Sequence, residues 1–351
     1  MTTVRRKRST LREVAEYAGV STATVSLVVN GKAGDAGITE ATQQAVYNAI
    51  EKLQYTPNRM ASAVVTGRSR MVGVVSALSR ELFDTQFGSR VLSGFVRGAR
   101  ERGYHFVFLE DITRNSEDHV RVLQDAREMC LEGLILLIDV GRDEKVFDVG
   151  KWLSTSIPVV SVQFTFDPEG APGFRVNHQN AVEECIDHFV RRGHEQIGFG
   201  ARHIDLRSRS TVAVIERALA RRGLSFDPGC VFEVPRWDRI GSFVDAYLKK
   251  RPSAMIILYD GEAVRAVTAL REAGIQVPRD LSVIGYGDSP LCTDFAPALS
   301  TYRPPLEEIG RDAIQYLIRC VEDGTAPRRD EVRDMTGQLV LRQSTGSAPG
   351  H

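Results

Sequence analysis

Apolar residues between residues 10 and 53 recur at the spacing of helices that bury one face. Thr10 followed by Glu13 has the spacing of a capping box, which predicts that a helix starts at Thr10. Gly19 ends this helix and permits a tight turn, after which Ser21 is expected to cap a second helix. Two short helices joined by a glycine turn predict a helix-turn-helix. The apolar positions expected to pack between the helices are Val14, Ala15, Ala18, Val25, Val28 and Val29.

The outward face of the second predicted helix lies where base edges would be if the two helices bind DNA. Many small helical pairs touch no DNA, and a capping box alone is a weak signal. Here the features follow in the order capped helix, Ala-Gly turn, Ser-capped helix and Asn30-Gly31 exit, which favours a DNA-binding module. The outward residues are Thr22, Ala23, Ser26 and Leu27.

From residue 69 the pattern changes to short apolar runs that alternate with helical stretches, several of which end at a glycine. This alternation predicts doubly wound α/β layers, and the chain is long enough for two such lobes. Ligands of open α/β sheets bind at the carboxyl ends of the strands, so we expect a ligand site in the cleft between the lobes. The predicted parallel strands are 71–75, 106–109, 134–138, 159–162, 197–199, 255–258 and 281–284.

The charge of the chain is unevenly distributed. The 351 residues have a net charge of zero, but residues 1–68 carry nine Lys or Arg and five Asp or Glu, a net charge of +4. Four of the basic residues form the run Arg5-Arg6-Lys7-Arg8. Alone such a run is typical of a solvated tail, whereas beside a helix-turn-helix phosphate contact is the better interpretation.

Cysteine usage and hydropathy bear on the compartment. The five cysteines are scattered and odd in number, as is typical of reduced cysteines in a cytosolic protein. No apolar run reaches the length of a membrane span, and no apolar segment of a secretory signal follows the basic run. We therefore expect a cytoplasmic protein with no membrane partner.

The residues from Thr10 to Gly31 resemble the start of regulators of the lac repressor/galactose repressor (LacI/GalR) family. The resemblance continues through Ile38-Thr39-Glu40-Ala41-Thr42, Tyr55-Thr56-Pro57-Asn58-Arg59-Met60-Ala61 and Thr66-Gly67-Arg68-Ser69. The segment Leu339-Val340-Leu341-Arg342-Gln343-Ser344-Thr345 is similar to the closing strand of the family. The resemblance spans nearly the whole chain. It is specific in the N-terminal segment and looser in the middle of the chain.

The resemblance implies an N-terminal all-α helix-turn-helix domain followed by a bilobed periplasmic-binding-protein-like α/β effector domain. The first would span residues 1–56, a hinge or linker residues 57–68, and the effector-binding and dimerisation domain residues 69–346. Within this domain, the first lobe would comprise about 69–163 and 302–325. The second lobe would comprise about 164–301 and 326–344.

Helix geometry and the family pattern together divide the expected DNA contacts. Thr22, Ala23 and Leu27 should reach base edges, while the remaining polar residues mostly hold phosphates. Leu27 departs from the family, which very often has Arg there. Arg reads guanine through two hydrogen bonds, whereas Leu offers only an apolar contact, so the operator should differ at that position. The residues expected to bind DNA are Thr10, Ser21, Thr22, Ala23, Thr24, Ser26, Leu27, Asn30, Arg59, Ala61 and Val64.

The segment between Pro57 and Gly67 can form a short helix, because Pro suits the first helical position. A helix of this length is not stable alone in water. In the family such hinge helices order on DNA and insert an apolar residue into the minor groove. Val64 takes the position usually held by Leu, so it is the expected wedge. A plain flexible linker is the alternative.

Candidate cleft residues follow the predicted strands, and they combine the aromatic faces and paired hydrogen-bonding groups that sugars and nucleobases require. Several positions depart from the family: Thr211 replaces an Arg, Tyr259 an Asn, Gly287 an Asp and Pro304 a Gln. Arg209 could supply the missing guanidinium. Either the ligand is atypical or the cleft binds something other than a small sugar. The candidates are Asp84, Phe87, Asp139 and Gln163 from the first lobe, and Arg207, Arg209, Thr211, Trp237, Tyr259, Asp260 and Gly287 from the second.

Together these features predict a sequence-specific transcriptional regulator, most simply a repressor. It would bind a palindromic double-stranded DNA operator as a homodimer, with affinity controlled by a small-molecule effector, a sugar or related metabolite, in the cleft. The alternatives are a sugar-binding protein without gene control and an α/β enzyme, neither of which needs residues 10–64. Whether the effector releases DNA or promotes its binding stays open.

Enzyme motifs for dinucleotide, phosphate or acyl chemistry are absent from the sequence, so we expect no catalytic residues and no cofactor. The histidines show no metal-ligand spacing, so we expect no metal. His188 and His194, which flank a predicted helix end, are expected to cap it or to lie exposed.

Overall fold

The computed structural model describes residues 9–56, 67–76, 86–111, 118–138, 149–163, 172–328 and 330–350. The chain divides into two compact units, Met1–Ser69 and Arg70–His351.

The described part of the first unit contains three helices around one small core. They are α1 (Leu11–Ala18), α2 (Thr22–Val29) and α3 (Glu40–Leu53). The predicted apolar positions of α1 and α2 are confirmed, because Val14, Ala15, Val25 and Val28 are buried and Ala18 and Val29 pack against them. Helix α3 closes this core with Val46 and Ala49.

The described strands of the second unit form two six-stranded sheets, which define two lobes. All the strands predicted from the sequence are present. The first sheet contains β1 (Met71–Ser76), β2 (His105–Asp111), β3 (Leu134–Ile138), β4 (Val159–Gln163), β5 (Gly173–Val176) and β11 (Val332–Met335). The second contains β6 (Ile197–Ala201), β7 (Val231–Glu233), β8 (Ala254–Ile257), β9 (Ser282–Tyr286), β10 (Ser300–Arg303) and β12 (Gln338–Val340).

Helices cover both sheets, as expected of parallel strands buried on both faces. The first sheet has the order β11-β5-β4-β3-β1-β2 and the second β12-β10-β9-β8-β6-β7. The described pairs are parallel except β10 with β12. The helices are α4 (Gln86–Glu101), α5 (Asp118–Glu128), α6 (Val149–Leu153), α7 (His178–Arg191), α8 (Leu206–Ala220), α9 (Ile240–Lys250), α10 (Asp260–Glu272), α11 (Leu291–Asp294) and α12 (Leu306–Asp323).

The chain crosses between the lobes after β5, after β10 and after β11, which corrects the predicted lobe boundaries. The sequence places residues 164–301 in the second lobe, but β5 pairs with β4 and β11 in the first sheet. Residues 302–325 and 326–344 are likewise divided, because β10 belongs to the second sheet and β11 to the first. The segments that follow β10 and β11 pass close to each other between the lobes. A Cβ on Gly337 would collide there with the carbonyl oxygen of Arg303, so the close approach requires glycine.

A further expectation about the second lobe is wrong. His188 and His194 are buried, and His194 contacts the Ser253 hydroxyl at 2.9 Å and the Gly346 carbonyl oxygen at 3.2 Å. The segment that follows Gly346 also packs on this lobe, since the Ala348 amide donates to the Arg192 carbonyl at 2.9 Å. The expectation failed because the partners of His194 lie far away in the sequence.

Candidate functional site

The two short helices of the first unit are fixed by their caps. The Glu13 amide donates to the Thr10 hydroxyl at 3.2 Å, and the Thr10 amide donates to the Glu13 carboxylate at 2.7 Å, which completes the predicted capping box. Gly19 has φ 68°, a left-handed conformation that ends α1 and starts the turn. Ser21 then caps α2 by accepting the Thr24 amide at 3.0 Å. The local sequence therefore sets the angle at which α2 is presented.

Helix α2 presents a continuous outward surface of small side chains. Ser21, Thr22 and Ala23 are exposed, and Leu27 is half-buried but is not among the residues packed on the core of this unit. Asn30 closes the helix, since its side-chain amide donates to the Ser26 carbonyl at 2.8 Å. This surface combines hydroxyl groups at the start of the helix with an apolar residue one and a half turns later.

The helices themselves are not basic. Residues 9–56 carry three Lys or Arg and five Asp or Glu, so the positive charge of this end of the chain lies in the flanking segments. Those segments include the run Arg5-Arg6-Lys7-Arg8. The predicted DNA contacts Arg59, Ala61 and Val64 lie outside the described residues, as do the predicted effector contacts Asp84 and Asp139.

Five rings meet where the two lobes face each other, a group we call the interlobe aromatic cluster: Phe87, His178, Tyr259, Tyr286 and Tyr302. Phe87, from α4 of the first lobe, stacks on Tyr286 with centroids 5.8 Å apart and planes at 8°. The same ring meets Tyr259 edge-on at 5.5 Å. Tyr286 in turn stacks on Tyr302 at 5.7 Å, and His178 meets its edge at 5.6 Å. Of the predicted cleft residues, the structure therefore brings Phe87 and Tyr259 together.

Polar groups border this cluster. His178 Nε2 lies 3.0 Å from the Thr211 hydroxyl, which donates to the Arg207 carbonyl at 3.0 Å. The Thr211 oxygen thus accepts from Nε2–H, and the buried Nδ1 of His178 is an acceptor without a hydrogen-bond donor among the described residues. Burial, with a smaller effect of the nearby Arg207 cation, lowers the pKa of His178 to about 4. His178 is therefore neutral at physiological pH.

The guanidinium at the cluster belongs to Arg207 and not to Arg209. Arg207 lies over the Tyr259 ring at 5.7 Å from the centroid, whereas Arg209 is exposed on α8. Thr211 is 1% exposed and is engaged by the backbone and His178. The expectation that Arg209 replaces the missing guanidinium is therefore corrected.

Asp260 has a structural role in place of the predicted effector contact. It is 2% exposed, and its two carboxylate oxygens accept hydrogen bonds from the Thr301 hydroxyl at 2.6 Å and the Ser289 amide at 2.7 Å. The other predicted residues are more dispersed. Trp237 is 56% exposed between β7 and α9, whereas Gln163, at the end of β4, is buried and donates to Ser161 at 2.8 Å. The Oε1 atom of Gln163 has no donor within the described part of the chain.

Sequence reasoning missed a charged group at the end of β9. Asp288 is buried and accepts hydrogen bonds from Arg303 at 2.5 Å and Arg342 at 2.6 Å, and these cations hold its pKa below the usual value despite burial. Arg90 of α4 donates to the neighbouring carbonyls of Gly287 and Asp288 at 3.2 and 2.9 Å. A cavity of about 610 Å³ lies beside Arg90, bordered by the crossing segments at Pro304 and Thr336. The partners of Asp288 are separated from it in sequence, so no local pattern marked them.

Comparison with known proteins supports the same division of the chain. Residues 10–58 match the family described as bacterial regulatory proteins, lacI family, and residues 186–345 match a periplasmic binding protein-like domain. The HTH-type transcriptional repressor PurR of Aliivibrio fischeri (strain MJ11) is 27% identical over 342 residues, covering 96% of this chain and 98% of the relative. PurR of Photobacterium profundum is also 27% identical over 342 residues, with the same coverage of 96% and 98%.

The chain belongs to the LacI/GalR family. It is a DNA-binding transcriptional regulator of this family rather than an enzyme, with the helix-turn-helix in its first unit and the periplasmic-binding-protein-like fold in its second. The fold is also that of a lac repressor dimer solved with operator and the anti-inducer ONPF, with TM-score 0.80 and 24% identity over 97% of this chain and 100% of that chain.

A second solved structure of similar fold, a complex of the transcriptional regulator CelR with cellobiose, has TM-score 0.65 and 25% identity. It covers 96% of this LacI/GalR chain and 100% of its own chain. None of the described helices of the present protein is both long and apolar enough to span a membrane.

Proposed function

We propose that this regulator is a repressor that inserts α2 into the major groove of a two-fold symmetric operator. The observation that carries the proposal is the capped, outward face of α2, on which Thr22, Ala23 and Leu27 are accessible. Ser21, Thr24, Ser26 and Asn30 lie along the same helix at positions suited to phosphates, and Thr10 starts the helix before it. Because its proposed target is DNA, we expect the protein to lie in the cytoplasm.

We infer that the operator is bound by a homodimer. One helix-turn-helix buries too little surface to bind tightly and specifically, and the symmetry of a dimer matches a palindromic site. The solved lac repressor of the same fold is described as a dimer bound to operator, which supports this assembly. Hinge residues Arg59, Ala61 and Val64 would then meet the minor groove between the half-sites.

The second unit is the proposed sensor of a small-molecule effector. The solved regulator CelR, whose fold is similar, is described as a complex with cellobiose, and this supports a small-molecule ligand for the second unit. A sugar or related metabolite stays our expectation for the ligand class. Phe87, Gln163, Trp237 and Tyr259 are the described residues proposed to border the ligand, together with Asp84 and Asp139.

Selection of operator sequences from random duplexes tests the proposal. Wild type and Leu27→Arg are compared at one salt concentration, because affinity for DNA depends steeply on salt. Wild type should select a palindrome. Leu27→Arg should keep its fold, since the site lies outside the core, and should shift preference towards guanine at one symmetric position of each half-site, with roughly 1–3 kcal/mol of discrimination.

A matched control is Tyr47→Arg, which adds the same charge at an exposed position on α3. It should leave the selected sequence unchanged. Failure of wild type to enrich any sequence would favour the alternative, a small-molecule binding protein without gene control. An identical shift in both variants would show that charge alone, and not the position of residue 27, reads the base.

A further inference from the structure

Helix α4 links the two lobes through two residues of one face. The helix packs in the first lobe, where Val91 and Phe95 are fully buried against α12 and the first sheet. Phe87 and Arg90 lie three residues apart near its start, so their side chains project on the same side. Both reach the end of β9 in the second lobe. We call this pair of contacts the interlobe clasp.

The Phe87 half of the clasp joins the hydrophobic cores of both lobes. Phe87 packs against the first-lobe core and also against the second-lobe core. Its ring forms one end of a parallel stack with Tyr286 and Tyr302, while Tyr259 meets it edge-on. Offset stacking and edge-to-face contact are the arrangements that aromatic quadrupoles favour. The ring thus fills a place in the cluster that is shaped for a planar apolar group.

The Arg90 half of the clasp is equally specific. Its guanidinium donates to two consecutive carbonyls, those of Gly287 and Asp288, at 3.2 and 2.9 Å. This acceptor segment is fixed, because the Asp288 side chain is held by Arg303 and Arg342 and the Gly287 amide donates to the Tyr302 carbonyl at 2.8 Å. A planar donor fork facing a rigid pair of acceptors holds one relative position of the lobes.

We propose that the interlobe clasp holds the two lobes closed without any ligand. Every partner in the clasp belongs to this protein, and the contacts combine apolar stacking with charge-assisted hydrogen bonds. A ligand that takes the place of the Phe87 ring must first break the clasp. Such a ligand separates the lobes at α4 in place of drawing them together.

Single-molecule energy transfer between the lobes tests this proposal. One dye is placed on Cys130, an exposed thiol of the first lobe, and the other on Glu272→Cys, at an exposed position of α10 in the second lobe. The other cysteines are buried. Labelled chain is diluted into unlabelled chain so that any dimer carries one dye pair. No effector and no DNA are added, so the outcome is independent of the proposed operator binding.

The clasp predicts one dominant high-transfer population for the protein with an otherwise wild-type sequence. Phe87→Ala should lower the ratio of closed to open molecules by roughly tenfold or more, and Arg90→Met, which keeps an apolar stem, should lower it by a similar factor. Phe87→Leu retains apolar volume but cannot stack, so it gives a measurable intermediate effect should the alanine variant fold poorly.

The matched control is Phe295→Ala, which removes a half-buried ring of the second lobe that contacts Arg271 and lies on no first-lobe element in the described contacts. It should leave the closed population unchanged. The proposal is overturned if Phe87→Leu and Arg90→Met both keep the wild-type distribution, or if Phe295→Ala opens the lobes as much as they do. It is also overturned if the unsubstituted protein already samples open and closed forms equally.

Discussion

The substitution Asp260→Ala separates a structural role from a ligand-binding role at a residue that sequence reasoning placed in the cleft. It removes the acceptors of two hydrogen bonds, from the Thr301 hydroxyl at 2.6 Å and from the Ser289 amide at 2.7 Å. These bonds tie the start of α10 to β10 and to the segment after β9. Because the side chain is buried, water cannot replace the lost acceptors in place.

The size of the effect follows from these contacts. A buried donor left without an acceptor costs about 1–3 kcal/mol. The Thr301 hydroxyl has a second acceptor within reach, the Tyr302 carbonyl at 3.5 Å, so its loss lies at the lower end. Removing the carboxylate also removes the cost of burying it, so the two losses do not add fully. We expect Asp260→Ala to lower the free energy of unfolding by about 3 kcal/mol, and Asp260→Asn, which keeps one acceptor oxygen, by about 1–2 kcal/mol.

Urea unfolding followed by circular dichroism measures this difference in the full chain. Trp237→Ala is the control, because a side chain that is 56% exposed should change stability by less than about 1 kcal/mol. If Asp260→Ala unfolded at the wild-type urea concentration while a ligand response was lost, the structural assignment would be refuted. The ligand-binding interpretation would then be restored.

Two further predictions concern charge. Burial keeps the folded-state pKa of His178 near 4, well below the usual value of 6.5. Between these two values the unfolded chain therefore binds more protons than the folded chain. The stability that this residue contributes above pH 6.5 should be lost as the pH falls. From pH 7 to pH 5 this residue should lower the free energy of unfolding by up to about 2 kcal/mol. In urea unfolding, the His178→Gln variant should show a correspondingly smaller difference in the free energy of unfolding between the two pH values. An unchanged difference would contradict the burial argument. Residues 9–56 hold more acidic than basic residues, so the basic run should supply much of the charge that contacts phosphates. Replacing Arg5, Arg6, Lys7 and Arg8 by Ala should therefore flatten the slope of the logarithm of the DNA-binding constant against the logarithm of salt concentration by up to about 3–4 units. Fluorescence anisotropy with operator DNA between two salt concentrations measures the slope, and an unaltered slope would show that the run contacts no phosphate.

The parts of the fold that could be predicted are those fixed by neighbours in sequence. The caps of α1 and α2 each depend on residues three positions apart, Thr10 with Glu13 and Ser21 with Thr24. The long apolar strands are likewise marked by their own composition. Strand β5 is not predicted, because its short run Gly-Phe-Arg-Val carries no continuous apolar signal. Its place is decided by β11, where Asp334 pairs with an arginine 159 residues earlier.

Prediction of the cleft failed where helix phase or a distant partner decides the role of a side chain. Arg207 and Arg209 lie two residues apart on α8, which rotates one away from the other by about 200° around the helix axis. An uncertain register is therefore enough to select the wrong guanidinium. The role of Asp260 was not predicted for a different reason. The Thr301 hydroxyl, which donates a hydrogen bond to its carboxylate, lies 41 residues further along the chain.

Three of the four departures from the family pattern in the cleft share one physical explanation. Thr211 hydrogen bonds within its own helix and with His178, and Tyr259 meets the Phe87 ring. Gly287 has φ 129°, a conformation that an aspartate would adopt only with strain, and this backbone presents its carbonyl to Arg90. These three positions, at which the chain departs from the family pattern, are thus occupied by groups that hold the chain to itself. A protein that had merely lost its ligand contacts would not need a glycine-only backbone at residue 287 or an arginine directed at its carbonyl. The residues at positions 211, 259 and 287 are therefore best understood as parts of one arrangement in which the chain contacts itself.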